Sequence, residues 1–419
     1  MKHAFSKYPL ITALDIGSSK VCCLIAHISR DQKIQIAGYG YNASNGVKNG
    51  IITNIDHATV SVCTAVEEAE QKAGHQIEDV FINISGCKTT SVIKHTEIQL
   101  HKNKQISDVD IQKLIMQSQA KMKPAETDVI HCIPMNYTLN KTDVVSDPRK
   151  LFADTLGLDM LFGYYPTLLH QNLQSIVENA HLEVGGSVFS SYASALACLV
   201  DDEKQIGATV IDIGGGTTKM TTFKNGFPIY FATLPVGGNN ITNDIAWGLG
   251  TSFAHAEDLK IRHGCAFLIE QDDYESVDVY PVGEEDDNSI RQVKKSFLNT
   301  IINARVEEML KMVNQKFEEA GLKNQTNHRV VLTGGCSLLS GIRDVATDIL
   351  KKQVRFGIPR NIPNVPPYLY DPKYATVLGM LTFVLEADEC PFDASARSPM
   401  NMPDINGIKK IFGWFKHNF

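Results

Sequence analysis

A short glycine-containing phrase occurs twice in this chain, and its repetition favours folds that have two similar halves. The copies are Leu14-Asp15-Ile16-Gly17-Ser18-Ser19-Lys20 and Ile211-Asp212-Ile213-Gly214-Gly215-Gly216-Thr217-Thr218-Lys219. Each copy lies between two apolar runs, which predicts a strand, a tight turn and a second strand. Glycine lets a backbone approach a ligand closely, hydroxyl and N–H groups bind phosphate oxygens, and an aspartate can hold a metal's water shell. We therefore expect two turns that face each other and bind phosphate groups between them.

A single turn of this kind has a simpler explanation, because glycine-rich hairpins are common structural turns. The repetition argues against that explanation, since aspartate, glycine, a hydroxyl pair and lysine recur in the same order. Two familiar phosphate-binding motifs fit neither copy. The P-loop requires Gly-x-x-x-x-Gly-Lys-Ser/Thr at the start of a helix, and the dinucleotide fingerprint requires G-x-G-x-x-G between a strand and a helix.

A third glycine turn, Thr333-Gly334-Gly335-Cys336-Ser337, follows the apolar run Val330–Leu332. Its paired glycines would let a base or a ribose lie against the backbone. Farther upstream, Glu257 and Lys260 are three residues apart on one face of a predicted helix. Alone, this pair is more typical of a solvated surface ion pair. Together with the three turns, it indicates the adenosine side of a nucleotide cleft.

With these motifs, the chain resembles the superfamily of actin, sugar kinases and DnaK-type chaperone ATPases, and within it the FtsA family of bacterial cell-division proteins. The three glycine turns and a connecting helix with Ser191-Tyr192-Ala193-Ser194-Ala195 correspond to the superfamily. The features that indicate FtsA in particular are Lys260-Ile261-Arg262-His263-Gly264, Ile133-Pro134-Met135-Asn136-Tyr137 and the C-terminal segment. The resemblance implies an α/β, actin-like fold with two duplicated ribonuclease-H-like lobes around a nucleotide cleft, each with an inserted subdomain.

The resemblance also implies ATP and Mg²⁺ as cofactors, with Asp15 and Asp212 holding the metal through water. The residue that would orient an attacking water is not identified by the sequence, and Ser190 and Ser191 near that position are poor bases. We therefore expect ATP to bind with weak or negligible hydrolysis. The expected nucleotide-binding residues are Asp15, Gly17, Ser18, Ser19, Lys20, Asp212, Gly214, Gly215, Gly216, Thr217, Thr218, Glu257, Lys260, Gly334, Gly335 and Cys336.

Composition restricts the class of protein further. The 419 residues are 43% hydrophobic and 21% charged, which is ordinary globular material for two or more cores. A net charge of −7 and a pI near 6.0 argue against a general nucleic-acid binder. The nine scattered cysteines, without a C-x-x-C pair, are typical of reduced thiols in a cytoplasm. Met1–Leu10 lack a signal-peptide pattern, and no apolar stretch is long enough to span a bilayer.

The order of the predicted elements gives the domain organisation. Pro9–Ser85 predict three strands, a helix over Asp56–Ala73 and a buried strand over Val80–Ile84, which is half of a ribonuclease-H-like unit. The FtsA resemblance implies that the first insertion follows this strand directly. The second insertion contains an acidic segment, Glu284–Asp287, that we expect to be solvated. We expect the first lobe at residues 1–85, 163–204 and 365–386, its inserted subdomain at 86–162, the second lobe at 205–234 and 292–364, its inserted subdomain at 235–291, a flexible linker at 387–406 and an amphipathic membrane helix at 407–419.

The C-terminal segment has the pattern of a helix that lies on a membrane surface. At 100° per residue, large apolar side chains cover one face and lysines the opposite face. The apolar residues are Ile408, Ile411, Phe412, Trp414, Phe415 and Phe419, and the lysines are Lys409, Lys410 and Lys416. A helix docked on the protein's own body is the alternative, but a linker with Pro391, Pro399 and Pro403 favours the membrane. Each lysine contributes only about 1 kcal/mol, so stable attachment requires assembled subunits that present many tails.

The resemblance implies a scaffold that binds ATP and assembles with itself as an actin-like filament at the cytoplasmic face of the inner membrane, at the division site. There it would tether the tubulin-like division protein FtsZ, whose C-terminal tail docks on the insertion of the second half. Arg305 matches a family position near this docking surface, so the resemblance implies that it pairs with a tail carboxylate; an exposed arginine on the helix surface is the simpler explanation. Later division proteins are further expected partners, and nucleic acid is not.

A different function within the same superfamily is that of a soluble sugar or metabolite kinase. Such an enzyme would need a catalytic aspartate and sugar-contacting residues in the cleft, and it has no use for an amphipathic tail. A chaperone-type ATPase would carry a large peptide-binding domain after the second half. The tail therefore favours the scaffold.

Overall fold

The computed structural model describes residues 10–28, 34–101, 104–120, 126–283, 290–322, 329–360 and 365–387. The acidic segment 284–287, the linker after residue 387 and the amphipathic helix 407–419 lie outside these ranges. Among the helices in the described ranges, none is both long and apolar enough to cross a membrane.

The strands and helices follow the periodicity of the sequence. In chain order the strands are β1 (Leu10–Ile16), β2 (Lys20–Ile28), β3 (Ile34–Ala43), β4 (Val47–Lys48), β5 (Ile51–Ile52), β6 (Asp79–Ile84), β7 (Thr90–Gln99), β8 (Thr127–Leu139), β9 (Asp143–Val145), β10 (Thr155–Pro166), β11 (Glu183–Phe189), β12 (Ala208–Ile213), β13 (Thr218–Lys224), β14 (Phe227–Leu234), β15 (Ser276–Val279), β16 (Arg291–Lys294), β17 (Arg329–Thr333) and β18 (Val354–Phe356). The helices are α1 (Ile55–Ala73), α2 (Asp108–Ala120), α3 (Thr167–Asn179), α4 (Ser190–Cys198), α5 (Asp201–Ile206), α6 (Gly238–Leu249), α7 (Phe253–Arg262), α8 (Lys295–Glu319), α9 (Ile342–Leu350) and α10 (Ala375–Ala387).

The first lobe is built on a sheet whose described strands have the order β11-β6-β1-β2-β3. β1 and β2 form an antiparallel hairpin, and β6 runs parallel to β1 on the other side. Helix α1 packs on this sheet and has a well-defined beginning and end: the side chain of Asn54 accepts a hydrogen bond from the His57 N–H, and Gly74 ends the helix in the left-handed conformation, with φ 69°. The predicted three strands, helix and buried strand are confirmed.

The second lobe repeats this topology. Its described strands have the order β18-β17-β12-β13-β14, in which β12 and β13 form the hairpin and β17 runs parallel to β12. The helices α4 and α10 pack against each other between the two sheets, and one apolar core contains residues of both helices and both lobes. The repeated phrase thus corresponds to a repeated hairpin, as the sequence predicts.

The insertion of the first half has its own core around α2 and the strands β7, β8, β9 and β10. Its sheet also joins the sheet of the second lobe, because β7 pairs with β14 at Thr90 and Ala232. In sequence this insertion interrupts the first half, whereas in space it bridges to the second. The insertion of the second half contains α6, α7 and the hairpin of β15 and β16, and this hairpin extends to Lys294.

Candidate functional site

The two repeated turns lie in direct contact with each other. Each turn is closed by the same backbone hydrogen bond: Gly17 N–H donates to Lys20 at 2.9 Å, and Gly214 N–H donates to Thr217 at 2.9 Å. A Cβ atom added to Gly215 would lie 2.6 Å from Cβ of Ser19, which is closer than real contacts allow. Only glycine therefore lets the second turn approach the first so closely.

The third glycine turn reaches the same place. Gly334 follows β17 and has φ +84°, a conformation that side chains other than glycine rarely adopt. A Cβ atom on Gly334 would lie 2.3 Å from Oδ1 of Asp212, so this position requires glycine for two reasons. Gly335 differs, because the nearest atom to its added Cβ is Cβ of Lys373, at 3.7 Å. A Cβ at Gly335 would therefore make only an ordinary van der Waals contact, and this glycine lines the cavity described below.

A cavity of about 730 Å³ lies between the three turns. With one exception, every predicted nucleotide-binding residue lines it. These residues are Asp15, Gly17, Ser18, Ser19, Lys20, Asp212, Gly214, Gly215, Gly216, Thr217, Glu257, Lys260, Gly334, Gly335 and Cys336.

Thr218 is the exception. Its hydroxyl donates to the carbonyl of Val236 at 2.8 Å, and its side chain is buried away from the cavity lining. The reason is the alternation of side chains where the chain enters β13: Thr217, just before the strand, and Lys219 line the cavity, and Thr218 points to the opposite side.

Asp15 is the last but one residue of β1 and is only 5% exposed. Its Oδ1 accepts a hydrogen bond from Nδ2 of Asn83 at 2.7 Å, and Oδ1 of Asn83 accepts from the Ile16 N–H at 2.7 Å. Burial raises the pKa of Asp15 above its usual value, while the positive charges of Lys20 and Lys219 oppose that rise. The carboxyl group therefore lies where a bound cation would favour its ionised form.

Asp212 has the same place in β12, as its last but one residue. Its Oδ2 accepts hydrogen bonds from Oγ of Ser194 at 2.7 Å and from Oγ1 of Thr376 at 3.1 Å, and Nζ of Lys219 lies 3.6 Å away. Ser194 is in α4 and Thr376 is in α10, so both helices between the lobes contact this carboxylate. Both aspartates are thus oriented by neutral donors that the glycine motifs do not include.

Our sequence analysis did not identify Asn83, Ser194 or Thr376. One signal was available for Asn83, which is a buried amide in the otherwise apolar strand Val80–Ile84. Ser194 belongs to the predicted connecting helix, but the sequence assigns it no contact with the site. Its contact with Asp212 depends on how α4 packs between the lobes, and no sequence spacing shows that.

The pair of Glu257 and Lys260 is more buried than a surface ion pair. Lys260 is 8% exposed, and its Nζ donates to Oε2 of Glu257 at 2.7 Å, to Oγ1 of Thr242 at 2.8 Å and to the carbonyl of Gly238 at 3.1 Å. Thr242 also donates to Glu257. This network joins α7 to the first turn of α6 at the cavity wall.

Cys336 lies on the same side of the cavity, with its Sγ 3.2 Å from the position of an added Gly238 Cβ. Burial is the main reason that the pKa of the Cys336 thiol is raised to about 11. The positive charge of Lys260 acts against this rise, and the negative charge of Glu257 adds to it. The thiol is therefore neutral at physiological pH, and it can pack against a ligand as a small apolar group.

Arg305 is in α8, on the second half, and its side chain is 27% exposed. Its Nη2 donates to Oδ1 of Asp244 in α6 at 3.0 Å, and its Nη1 donates to Glu308. The hydrogen bond to Asp244 raises the pKa of Arg305. The guanidinium thus already has carboxylate partners within the chain.

Comparisons with known proteins identify the family. The family model described as Cell division protein FtsA matches residues 209–379, and the model described as SHS2 domain inserted in FTSA matches residues 86–162. The Cell division protein FtsA of Agrobacterium fabrum is 33% identical over 98% of this chain and 95% of its own length. The chain belongs to the FtsA family. Relatives with the same description from Pseudomonas aeruginosa and Escherichia coli K12 are 29% and 28% identical, each over 98% of both chains.

Solved structures show that this FtsA-family protein has the actin-like α/β fold. The PilM-PilN type IV pilus biogenesis complex aligns with a TM-score of 0.62 at 14% identity, over 89% of this chain and 97% of the other. MreB5 of Spiroplasma citri bound to ADP aligns with a TM-score of 0.50 at 11% identity, over 89% and 95%. The nucleotide-free diol dehydratase-reactivating factor gives 0.51 at 12% identity, over 90% and 100%. The predicted family and fold class are confirmed.

Proposed function

We propose that this cell-division protein binds ATP with Mg²⁺ in the cavity between its three glycine turns. The observation that carries the proposal is the contact between the two repeated glycine turns. This contact places Asp15 and Asp212 at one cavity, together with the backbone N–H and hydroxyl groups of the turns. These donors suit phosphate oxygens, and the two carboxylates suit the water shell of Mg²⁺. When bound, the metal would supply positive charge that offsets the phosphates and the aspartates. The likeness to an ADP-bound MreB5 supports a nucleotide ligand.

The adenosine would lie against Gly335, next to Glu257, Lys260 and Cys336. Support for this orientation comes from the position of Gly335 on the cavity lining and from the neutral thiol. We propose the domain boundaries predicted from the sequence as the working division of the chain.

We also propose that hydrolysis is slow. Oγ of Ser190 donates to the carbonyl of Ile84 and accepts from Nδ2 of Asn83, both at 3.1 Å, so this hydroxyl already has two partners. A serine with such partners is a poor general base. The protein would therefore use ATP chiefly to stabilise one arrangement of its lobes.

The proposed biological role is that of a membrane tether. The protein would assemble as an actin-like filament at the cytoplasmic face of the inner membrane, at the division site, and hold FtsZ there by its C-terminal tail. The amphipathic pattern of residues 408–419 supports the membrane contact. The family name supports a role in division, and later division proteins are further proposed partners.

Arg305 is our proposed contact for an acidic group of the FtsZ tail. To bind the tail, the guanidinium would have to contact the tail carboxylate in addition to Asp244 or in place of it. Asp244 is 32% exposed beside Arg305. Charge reversal at Arg305 should therefore weaken binding of an FtsZ tail peptide. Lys311→Glu on the same helix should not, since Lys311 is an exposed lysine, paired with Glu307, for which we propose no contact with the tail.

The test of the tether is flotation of purified FtsZ with anionic vesicles. We expect FtsZ to float only when this protein and ATP are present, and FtsZ without its C-terminal tail to remain in solution. Flotation of tailless FtsZ to the same extent, or no flotation of FtsZ in any mixture, would contradict the proposed role.

A further inference from the structure

The cations around the cavity differ in how strongly carboxylates neutralise them. Three of them pair closely with an acidic side chain, which leaves little net positive charge for a ligand. These pairs are Lys260 with Glu257 at 2.7 Å, Arg262 with Asp258 at 2.6 Å and Lys295 with Glu275 at 2.7 Å. Lys219 lies farther from its partner Asp212, at 3.6 Å, but its side chain is only 10% exposed and has little freedom to move. Lys20 and Lys373, which also line the cavity, differ from these.

Lys20 contacts neutral groups. Its Nζ donates to the main-chain carbonyl of Lys373 and lies 4.7 Å from the ring centroid of Tyr374. Nζ of Lys373 lies 5.1 Å from the same ring centroid and 3.6 Å from Oδ2 of Asp371, which is too long for a strong hydrogen bond. Lys219 is equally far from Asp212, but the Lys373 side chain is 42% exposed and that of Lys219 only 10%. Two ammonium groups therefore converge on one aromatic ring, and each repels the other.

The segment 371–374, between the second lobe and α10, reaches the glycine turns of both lobes. The carbonyl of Lys373 accepts from Lys20 of the first turn, and the carbonyl of Pro372 accepts from the Gly334 N–H of the third turn at 3.2 Å. Cβ of Lys373 lies 3.7 Å from the position of an added Gly335 Cβ. The Lys373 side chain thus starts between the phosphate side and the adenosine side of the cavity.

We propose that Lys373 is a phosphate-binding residue, whose ammonium group binds the terminal phosphates of the nucleotide together with Lys20. A polyphosphate between the two ammonium groups replaces their repulsion with two charge-assisted hydrogen bonds. The side chain is 42% exposed, so it can swing toward the phosphates without breaking a buried contact. The inference rests on the ATP binding proposed above and adds a residue that lies outside all three glycine motifs.

The test compares nucleotides that differ only in their phosphates. For Lys373→Ala we expect ATP affinity, measured by calorimetry with Mg²⁺, to fall about 10- to 100-fold, the effect of losing one charge-assisted hydrogen bond. The loss should be smaller for ADP and absent for AMP. Lys311→Ala is the matched control, since Lys311 is an exposed lysine of α8 that also pairs with one acid.

Two further variants separate binding from structure. Lys373→Arg should retain most of the ATP affinity, and Asp371→Asn should retain or increase it, because asparagine still accepts the Lys373 N–H that Asp371 accepts at 2.9 Å. Equal losses for ATP and AMP, or an Asp371→Asn loss as large as that of Lys373→Ala, would assign the effect to the 371–374 segment and overturn the proposal. Unchanged ATP affinity in Lys373→Ala would also overturn it. If the wild-type protein fails to bind ATP, the proposed function fails instead.

Discussion

Asn83 shows how a single buried amide orients the site. It is 1% exposed, and it forms hydrogen bonds with Asp15, with Ser190 and with the Ile16 N–H. A carboxylate that accepts from an amide keeps one orientation, and its other oxygen stays available to a cation or to water. Asn83 is therefore a positioning residue for Asp15.

Asn83→Asp should destabilise the protein in a pH-dependent manner. The new side chain still accepts from Ile16, but it places a second carboxyl group against Asp15, whose pKa burial already raises. A carboxyl group with a raised folded-state pKa adds stability below that pKa and loses it as the pH rises. In metal-free buffer we therefore expect the deficit in melting temperature to be largest near neutral pH and to shrink as the pH falls toward about 5.

Ser190→Ala provides the control for that experiment. It removes the other acceptor of the Asn83 amide, at 3.1 Å, without adding a charge. Its deficit should be the same across the pH range. If the Asn83→Asp deficit were equally independent of pH, the amide would not face an ionised Asp15.

At the scale of the elements, the third turn contains two adjacent glycines, Gly334 and Gly335, that are needed for different reasons. Gly334→Ala should lower both stability and ATP affinity, because φ is +84° and the new Cβ would meet Asp212 at 2.3 Å. Gly335→Val should leave the melting temperature nearly unchanged and abolish ATP binding, since its Cβ meets no atom closer than 3.7 Å and its side chain would extend into the cavity that Gly335 lines. Thermal unfolding and calorimetry on both variants distinguish these outcomes, and a folded Gly335→Val protein with normal affinity would move the nucleotide elsewhere.

The elements themselves were largely predictable from local patterns. The hairpins around Gly17 and Gly214 and the helix over Asp56–Ala73 are specified by apolar periodicity and by residues at their ends. The position of Thr218 was missed because a list of motif residues ignores the alternation of side chains along a strand. Lys373 was missed because its neighbours Lys20 and Gly335 are distant in sequence, so that only the folded chain brings them together.

At the scale of the whole molecule, the first insertion links the two lobes. Besides the pairing of Thr90 with Ala232, Oγ1 of Thr89 and Oγ1 of Thr233 share a hydrogen bond of 2.6 Å, and Ser91 Oγ accepts from the Phe231 N–H at 2.8 Å. Any motion that separates the lobes must carry this junction with it or break it. The insertion is therefore attached to the second lobe through β7 and β14.

Thr233→Val tests this junction, since valine has the same shape and no hydroxyl. We expect a loss of about 1 kcal/mol in the free energy of unfolding and faster amide exchange at residues 89–91, with the first-lobe sheet unaffected. Thr221→Val is the matched control, because its buried hydroxyl has no hydrogen-bond partner in the part of the chain that the structure describes. Equal exchange in both variants would mean that the Thr89 contact does not hold the insertion.

The C-terminal tail is the proposed contact of the molecule with the membrane, and the two tryptophans of the chain allow a matched test. Trp414→Glu places a charge on the apolar face of the predicted amphipathic helix, so we expect the protein to leave anionic vesicles in a flotation assay. ATP binding and melting temperature should stay nearly unchanged, because the proposed linker separates this helix from the folded body. Trp247→Glu makes the same substitution on α6, where the side chain is 92% exposed, and this variant should still float.

If Trp414→Glu instead lowered the melting temperature and the protein still floated, the tail would be a helix docked on the body. The case for a membrane tether over a soluble ATPase would then be lost.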